Sequence, residues 1–171
     1  MAIALRKNKS LNFDPMQPDY KIRLATIDDA DIIARQRAAM FFEMGYFNEQ
    51  QARIIEGNSL PILREMLASG EYRGWLVELE GQIVAGGGMI LRRLLPRLGS
   101  ISGGREAYIL NMYTEPEHRR RNLARQLMQT MIQWCQENTI GRVSLHTSDA
   151  GRPLYENLGF AATNEMMLQK K

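Results

Sequence analysis

The sequence predicts a single-domain mixed α/β (α+β) protein, and three observations carry that prediction. Its 171 residues suit one ordinary hydrophobic core and are too few for two. A composition of 44% hydrophobic, 24% charged and 8% aromatic residues is that of a globular chain, which excludes collagenous, coiled-coil and largely disordered architectures. Segments with the alternation or apolar density of strands are interleaved with segments whose apolar residues recur at helical spacing.

Residues 1–19 carry Arg6, Lys7 and Lys9 ahead of Pro15 and Pro18 without apolar periodicity, so a flexible leader is expected there and one domain over 20–171. Tyr20 to Leu24 alternates as a half-buried strand. Thr26, Asp28 and Asp29 then supply capping chemistry for a helix from about Asp28 to Met44, where Gly45 breaks it. Glu49 to Ser69 reads as a second helical region, interrupted or restarted near Pro61. Gly74 to Leu79, a Glu80-Gly81-Gln82 turn and Ile83 to Leu91 form an antiparallel hairpin, followed by a loop from Arg92 to Arg105.

Ala107 to Thr114 has the density of a central strand, ended by Pro116. The next helix is the plainest in the chain: Leu123, Leu127, Met128, Met131, Ile132 and Cys135 repeat at three and four, the spacing of one buried face. Val143 to Thr147 reads as a short strand and Arg152 to Leu158 as a short helix stopped by Gly159. Met166 to Gln169 reads as a last strand. No internal repeat or low-complexity tract is present.

Several function classes are excluded by composition. No apolar stretch approaches the ~20 residues of a membrane span, and Met1 to Leu5 meets Arg6 and Lys7 too soon for a secretory signal, so a cytoplasmic protein without a membrane partner is expected. Cys135 is the sole cysteine, which forbids an internal disulfide. With only His118 and His146 beside it, no cysteine-rich zinc site can form, and no metal is expected. A net charge of +3 is too mild to imply nucleic-acid binding.

What matters is where the positive charge sits. Glu117-His118-Arg119-Arg120-Arg121-Asn122-Leu123-Ala124-Arg125 gathers four arginines at a helix start, where free N–H groups already make the field positive. That placement is unfavourable for an isolated helix, and a bound polyanion would reverse the sign of the penalty. A solvated basic turn relieved by Glu115 and Glu117 accounts for the charge pattern equally well, since such charges cost only ~0.3 to 1 kcal/mol each.

The strand, the Pro turn and the Arg-rich start, read as Pro116-Glu117-His118-Arg119-Arg120-Arg121-Asn122-Leu123-Ala124, resemble the acetyl-CoA motif of the GNAT acetyltransferase superfamily, Pro-x-x-Arg-x-x-Gly-x-Gly or Ala. Downstream, the stretch from Leu145 to Phe160, with Ser148, Tyr155 and Gly159-Phe160, resembles that family's second motif. The likeness covers about residues 20 to 170. It implies a mixed, mostly antiparallel central sheet flanked by helices, and acetyl-CoA as co-substrate.

The resemblance also implies roles. The edge of Met112, Tyr113 and Thr114 would pair with the pantetheine arm, and an N–H there would polarise the acetyl carbonyl. The backbone through Arg119, Arg120, Arg121, Asn122, Leu123, Ala124 and Arg125 would hold the pyrophosphate, and Ser148 would face the pantetheine. Tyr155 matches the position whose hydroxyl protonates the departing thiolate. Asn122 departs from the pattern, standing where the family usually has Gly, so altered pyrophosphate geometry is expected rather than its loss.

For a general base the sequence offers Glu43, Glu71, Glu106, Asp149, His118 and His146, and no spacing singles one out. Cys135 shares the buried helical face, which disfavours an acyl-cysteine intermediate. The function implied is acetyl transfer to the amine of a small molecule or peptide by direct attack in a ternary complex. A non-catalytic acetyl-CoA sensor and, with less support, a nucleic-acid-binding module are the competing classes, and a homodimer is left open. The acceptor would be chosen by Arg37 to Gly45, Phe47 to Glu56 and Arg92 to Gly104. There Met40, Phe41, Phe42, Met44, Tyr46 and Phe47 could wall a pocket, and Glu43 could attract an ammonium group.

Overall fold

The structure, a computed structural model, describes residues 19–96 and 103–168. The expected leader therefore lies almost wholly outside the described residues, as does the centre of the loop after Arg92. Five strands form one sheet in the order β1-β2-β3-β4-β5: β1 Lys21–Leu24, β2 Tyr72–Leu79, β3 Gln82–Leu94, β4 Gly104–Thr114 and β5 Arg142–Leu145. All neighbours are antiparallel except β4 and β5, which run parallel.

Helices α1 (Ala30–Glu43) and α2 (Glu49–Ser69) cover one face, and α3 (Leu123–Glu137) covers the other. The apolar stripe read from the sequence becomes the α3 contact: Leu123, Leu127, Met128, Met131 and Cys135 are buried against Trp75, Val77, Met89 and Ile109. Opposite, Ile33, Ala34 and Leu63 pack on Tyr72 and Leu76. The short α4 (Arg152–Glu156) follows β5, and Gly159 ends that segment at a φ of 90°.

Local chemistry fixes where the helices begin. Arg23 holds Asp29 in a two-pronged pair, Nη1 to Oδ2 at 2.9 Å and Nη2 to Oδ1 at 2.8 Å, joining β1 to the single 3-10 turn that leads into α1. That guanidinium bond draws the Asp29 carboxyl down to about 2. Asn48 and Gln51 form a reciprocal cap on α2, at 2.9 and 3.0 Å.

Four expectations need correcting. Pro61 does not interrupt α2: the carbonyl it cannot reach belongs to Gly57, which is exposed to water. Arg92 to Leu94 and Gly104 with Arg105 are not loop but paired strand, so the hairpin of β3 and β4 is longer than its apolar run. β5 stops at Leu145, which leaves His146 and Thr147 beyond its end. Met166 to Leu168 form no strand and stand 98%, 69% and 93% exposed, because no strand edge receives them; Gln169 lies outside the described residues.

One irregularity interrupts the ladder of the two longest strands. Pairing of β4 with β3 slips between Gly88–Leu110 and Gly86–Tyr113, and Asn111 takes a left-handed φ of 59° in the resulting bulge. Leu110 and Asn111 consequently both face α1 and α2, while Ile109 and Met112 face α3. The run Gly86-Gly87-Gly88 makes room for this. A Cβ would lie 2.6 Å from Gln36 Oε1 at Gly86, 2.3 Å from Met112 Sδ at Gly87 and 2.2 Å from the Tyr72 hydroxyl at Gly88.

Those contacts rank two substitutions. Gly88→Ala meets a rigid, fully buried phenol ring and the Arg73 carbonyl at 2.9 Å, whereas Gly87→Ala meets a flexible thioether. Thermal melts should show Gly88→Ala losing the ~1 to 3 kcal/mol of overpacking, with Gly87→Ala losing less. Equal melting temperatures for the two variants would refute the packing account.

Candidate active site

β5 pairs with β4 only from Glu106–Arg142 to Ile109–Leu145 and then diverges, so Leu110 to Thr114 have no β5 partner. A wedge opens between the two strands. It holds a cavity of about 650 Å³ lined by Tyr108 to Thr114 on β4, by Leu145 to Ser148 after β5, by Tyr155 of α4 and by the end of α1. Unpaired strand backbone facing a cavity is a ready partner for an extended chain.

A second cavity, about 350 Å³, continues from the end of β4 and is lined by Thr114, His118, Arg119, Arg120, Asn122, Leu123, Ala124 and Arg125, with Leu154. Thr114 and Arg119 line both cavities. The arginines do not stand on the helix as the sequence suggested: Arg119 to Asn122 form a turn ahead of α3, and only Arg125 lies in its first turn. Arg120 and Asn122 adopt left-handed φ values of 60° and 64°. Such residues alternating with right-handed or extended ones turn successive N–H groups to one side, and the first-turn amides of α3 have no partner within the helix.

This donor set fits a pyrophosphate: backbone N–H groups, a helix start and guanidinium groups converge, and among the described residues no carboxylate lines the cavity. Leu123 contributes only backbone, since its side chain is 2% exposed in the core. Arg121 is exposed and lines neither cavity. His118 is fixed by the Tyr20 hydroxyl, 3.0 Å from Nδ1.

Arg119 is committed elsewhere. Its Nε donates to the Thr114 carbonyl at 2.9 Å, its Nη2 donates to Glu43, and Tyr113 donates to the same carboxylate at 2.7 Å. The carboxylate bond pushes the Arg119 pKa up; burial, reinforced by Glu43, pushes the Tyr113 pKa up. Glu43, Tyr113 and Arg119 thus clamp the end of α1 to the end of β4.

Across the wedge, Ser148 Oγ accepts from the Gly151 N–H at 3.3 Å and shapes the turn before α4. A Cβ on Gly151 would lie 2.8 Å from Thr147 Oγ1 and 3.3 Å from the Tyr155 ring, so this turn needs glycine's bare Cα. Tyr155 stacks edge-on against Phe160 with centroids 6.1 Å apart. Among the described residues its hydroxyl has no hydrogen-bond partner, and burial raises its pKa.

Of the six candidate bases, the structure brings two to the large cavity, Glu43 and His146. His146 Nδ1 is hydrogen bonded to the Tyr108 hydroxyl. Glu106 is buried and tied to Arg142 and Ser144, and Cys135 lies in the core with its thiol pushed up to about 11 by burial. Met40, Phe41, Met44 and Tyr46 wall the cavity as expected, whereas Phe47 packs behind Phe41 at 5.6 Å and Phe42 is 49% exposed. Arg37 and Asn111 also line it; sequence reasoning named Arg37 only as the first residue of an acceptor-choosing segment and gave Asn111 no role. The glycine run opposite Asn111 was the available signal, because glycines inside a strand mark bulges.

Four likenesses to known proteins bear on this geometry. A sequence model of the acetyltransferase (GNAT) family matches residues 36–160. A protein of Escherichia coli (strain K12), the uncharacterized N-acetyltransferase YjgM, is 30% identical over 152 residues, 87% of this chain and 85% of its own. A GCN5-related N-acetyltransferase from Ralstonia eutropha JMP134 superposes with a TM-score of 0.81 at 31% identity, covering 88% of this chain and 98% of that one. A protein of Clostridium acetobutylicum, described as a predicted acetyltransferase and solved with acetyl-CoA, gives 0.79 at 25% identity, covering 88% and 96%.

The left-handed Asn122 generates a test. Asn122→Gly should leave stability and acetyl-CoA affinity equal or improved, because glycine enters this conformation freely. Asn122→Val should lose ~1 to 2 kcal/mol, a melting shift of about 2 to 8 °C. Tenfold weaker acetyl-CoA binding by a folded Gly variant, measured by calorimetric titration, would instead make the Asn side chain a ligand contact.

Proposed function

This chain belongs to the acetyltransferase (GNAT) family, whose co-substrate is acetyl-CoA, and from that premise we propose that it transfers acetyl to an amine by direct attack in a ternary complex. The observation that carries the proposal is the continuity of the free β4 edge with the arginine turn, opposite an uncommitted Tyr155 hydroxyl.

In this reading the pantetheine arm lies along Met112, Tyr113 and Thr114 as an added strand, held by main-chain hydrogen bonds. Backbone N–H groups from Arg119 to Arg125 and the Arg120 and Arg125 side chains hold the pyrophosphate, and Ser148 borders the arm from the far wall. An N–H of the β4 edge polarises the acetyl carbonyl and stabilises the charge that develops on its oxygen. The amine nitrogen attacks the carbonyl carbon, the C–N bond forms and the C–S bond breaks.

Tyr155 gives its proton to the departing sulfur, and the proton that the attacking nitrogen sheds passes to solvent, from which the phenol is restored. Its raised pKa keeps the phenol protonated at neutral pH, which a proton donor needs. The buried, high-pKa Cys135 offers no second route through an acyl-enzyme, which supports direct attack. A cytoplasmic setting, as expected from the sequence, goes with this reading.

The test is coenzyme A release from acetyl-CoA over a panel of amines, comparing the natural chain with Tyr155→Phe. Phe keeps the ring and its contact with Phe160, so the fold and the KM for acetyl-CoA should hold while kcat falls. The low end of the ~10²- to 10⁴-fold range of general-acid catalysis is expected, because a thiolate leaves readily. The deficit should shrink between about pH 6 and about pH 9, as unassisted departure of the anion becomes easier. Equal kcat at every pH would remove Tyr155 from the chemistry, and acetyl-CoA binding without turnover of any amine would make the protein a sensor.

A further inference from the structure

Arg37 stands out among the residues around the wedge. Its guanidinium is half-buried in the wall of the large cavity, yet among the described residues no carboxylate pairs with it. Its Nη1 donates a 2.6 Å hydrogen bond to the Asn111 side-chain oxygen, and the guanidinium lies 4.7 Å from the Phe41 ring centroid. Asn111 is itself held by donating to the Tyr72 hydroxyl at 3.2 Å. The guanidinium is therefore fixed in direction while most of its five N–H donors remain for another acceptor.

Burial lowers the Arg37 pKa, the signature of a cation whose lost hydration is not repaid by an anion. Glu43, the one carboxylate lining this cavity, is spent on Arg119 and Tyr113. So this wall presents one positive charge without a carboxylate partner among the described residues, shared with a smaller neighbouring cavity lined by Tyr72 and Asn111, beside an apolar and aromatic surface of Met40, Phe41, Met44, Tyr46 and Tyr108. That field repels polycations. A planar fork matches a carboxylate, which can accept two parallel N–H bonds.

We propose that the acceptor is an amine that also carries a carboxylate, an amino acid with an apolar or aromatic side chain, and that Arg37 binds the carboxylate while the wall takes the side chain. This rests on the acetyl-transfer reading and narrows it to a substrate class. In place of the ammonium site that Glu43 could offer at the end of α1, the acceptor contact is a carboxylate site at Arg37, in the middle of that helix.

Matched pairs test the proposal with the full chain and acetyl-CoA: L-phenylalanine against L-phenylalaninamide and phenethylamine, and L-methionine against its amide. Spermidine, an aminoglycoside and glucosamine 6-phosphate complete the panel. The carboxylate member of each pair should have a kcat/KM at least about tenfold higher, the scale of one charge-assisted hydrogen bond. Arg37→Gln should collapse that ratio towards one through the acceptor KM, and Arg37→Lys should restore part of it. Should Arg37→Gln fail to fold, the ratios of the natural chain decide alone.

Equal rates within the pairs, or preference for spermidine, the aminoglycoside or the phosphorylated sugar, would overturn the substrate class and leave acetyl transfer standing. Release of coenzyme A with none of the compounds, while acetyl-CoA still raises the melting temperature, would overturn both.

Discussion

The divergence of β5 from β4 after the Ile109–Leu145 pair is the constraint on which the rest of this site depends. A sheet that stayed closed would satisfy the backbone of Leu110 to Thr114 internally and leave nothing to bind with. The open strand exposes main-chain donors and acceptors where an extended thioester arm can use them. The bulge at Asn111 is part of the same device, since it turns the strand at the mouth of the wedge and swings Asn111 towards α1. The three glycines of β3 tolerate the bulge from behind, each giving up a Cβ that Gln36, Met112 or Tyr72 would meet.

Charge is distributed along the wedge in a definite order. At one end the Arg120 and Asn122 backbone, the α3 start and Arg125 gather positive potential, with no carboxylate among the described residues of the cavity. In the middle, Glu43 cancels Arg119 and fixes the end of α1 against β4. At the far end Arg37 is again uncompensated. Two positive sites separated by a neutral clamp suit the proposed reaction, in which an acyl donor on a pyrophosphate passes its acetyl group to an amine beside a carboxylate and departs as the thiol. A half-buried guanidinium without a carboxylate beside it among the described residues, as at Arg37, costs stability, and a fold keeps such costs where a ligand offsets them.

Much of this was legible in the sequence. The α3 face was read residue by residue because a single apolar stripe facing one sheet leaves a clean period; the Leu145 to Phe160 motif located the wall opposite β4, and the Pro116 to Ala124 motif located the second cavity. Asn122 was legible by residue type, since Asn tolerates the left-handed conformation it adopts. The outer ends of β3 and β4 were hidden because Arg92, Arg93 and Arg105 pair through the backbone and carry no strand-like side-chain signal. Met166 to Leu168 misled for the opposite reason, having apolar side chains without a strand to pair with. Arg37 was legible only as the start of an acceptor-choosing segment, because its particular role comes from Asn111, 74 residues away, and from the lack of an acid beside it among the described residues.

The central claim, that the β4 edge and the arginine turn together hold acetyl-CoA, is tested most directly by amide hydrogen exchange with and without the ligand. Saturating acetyl-CoA should slow exchange at Met112 to Thr114 and at Arg120 to Arg125, with the buried face of α3 unchanged because its amides are already protected. Binding that leaves both segments exchanging at their free rates, or that protects only the α1 and α2 face, would contradict the account.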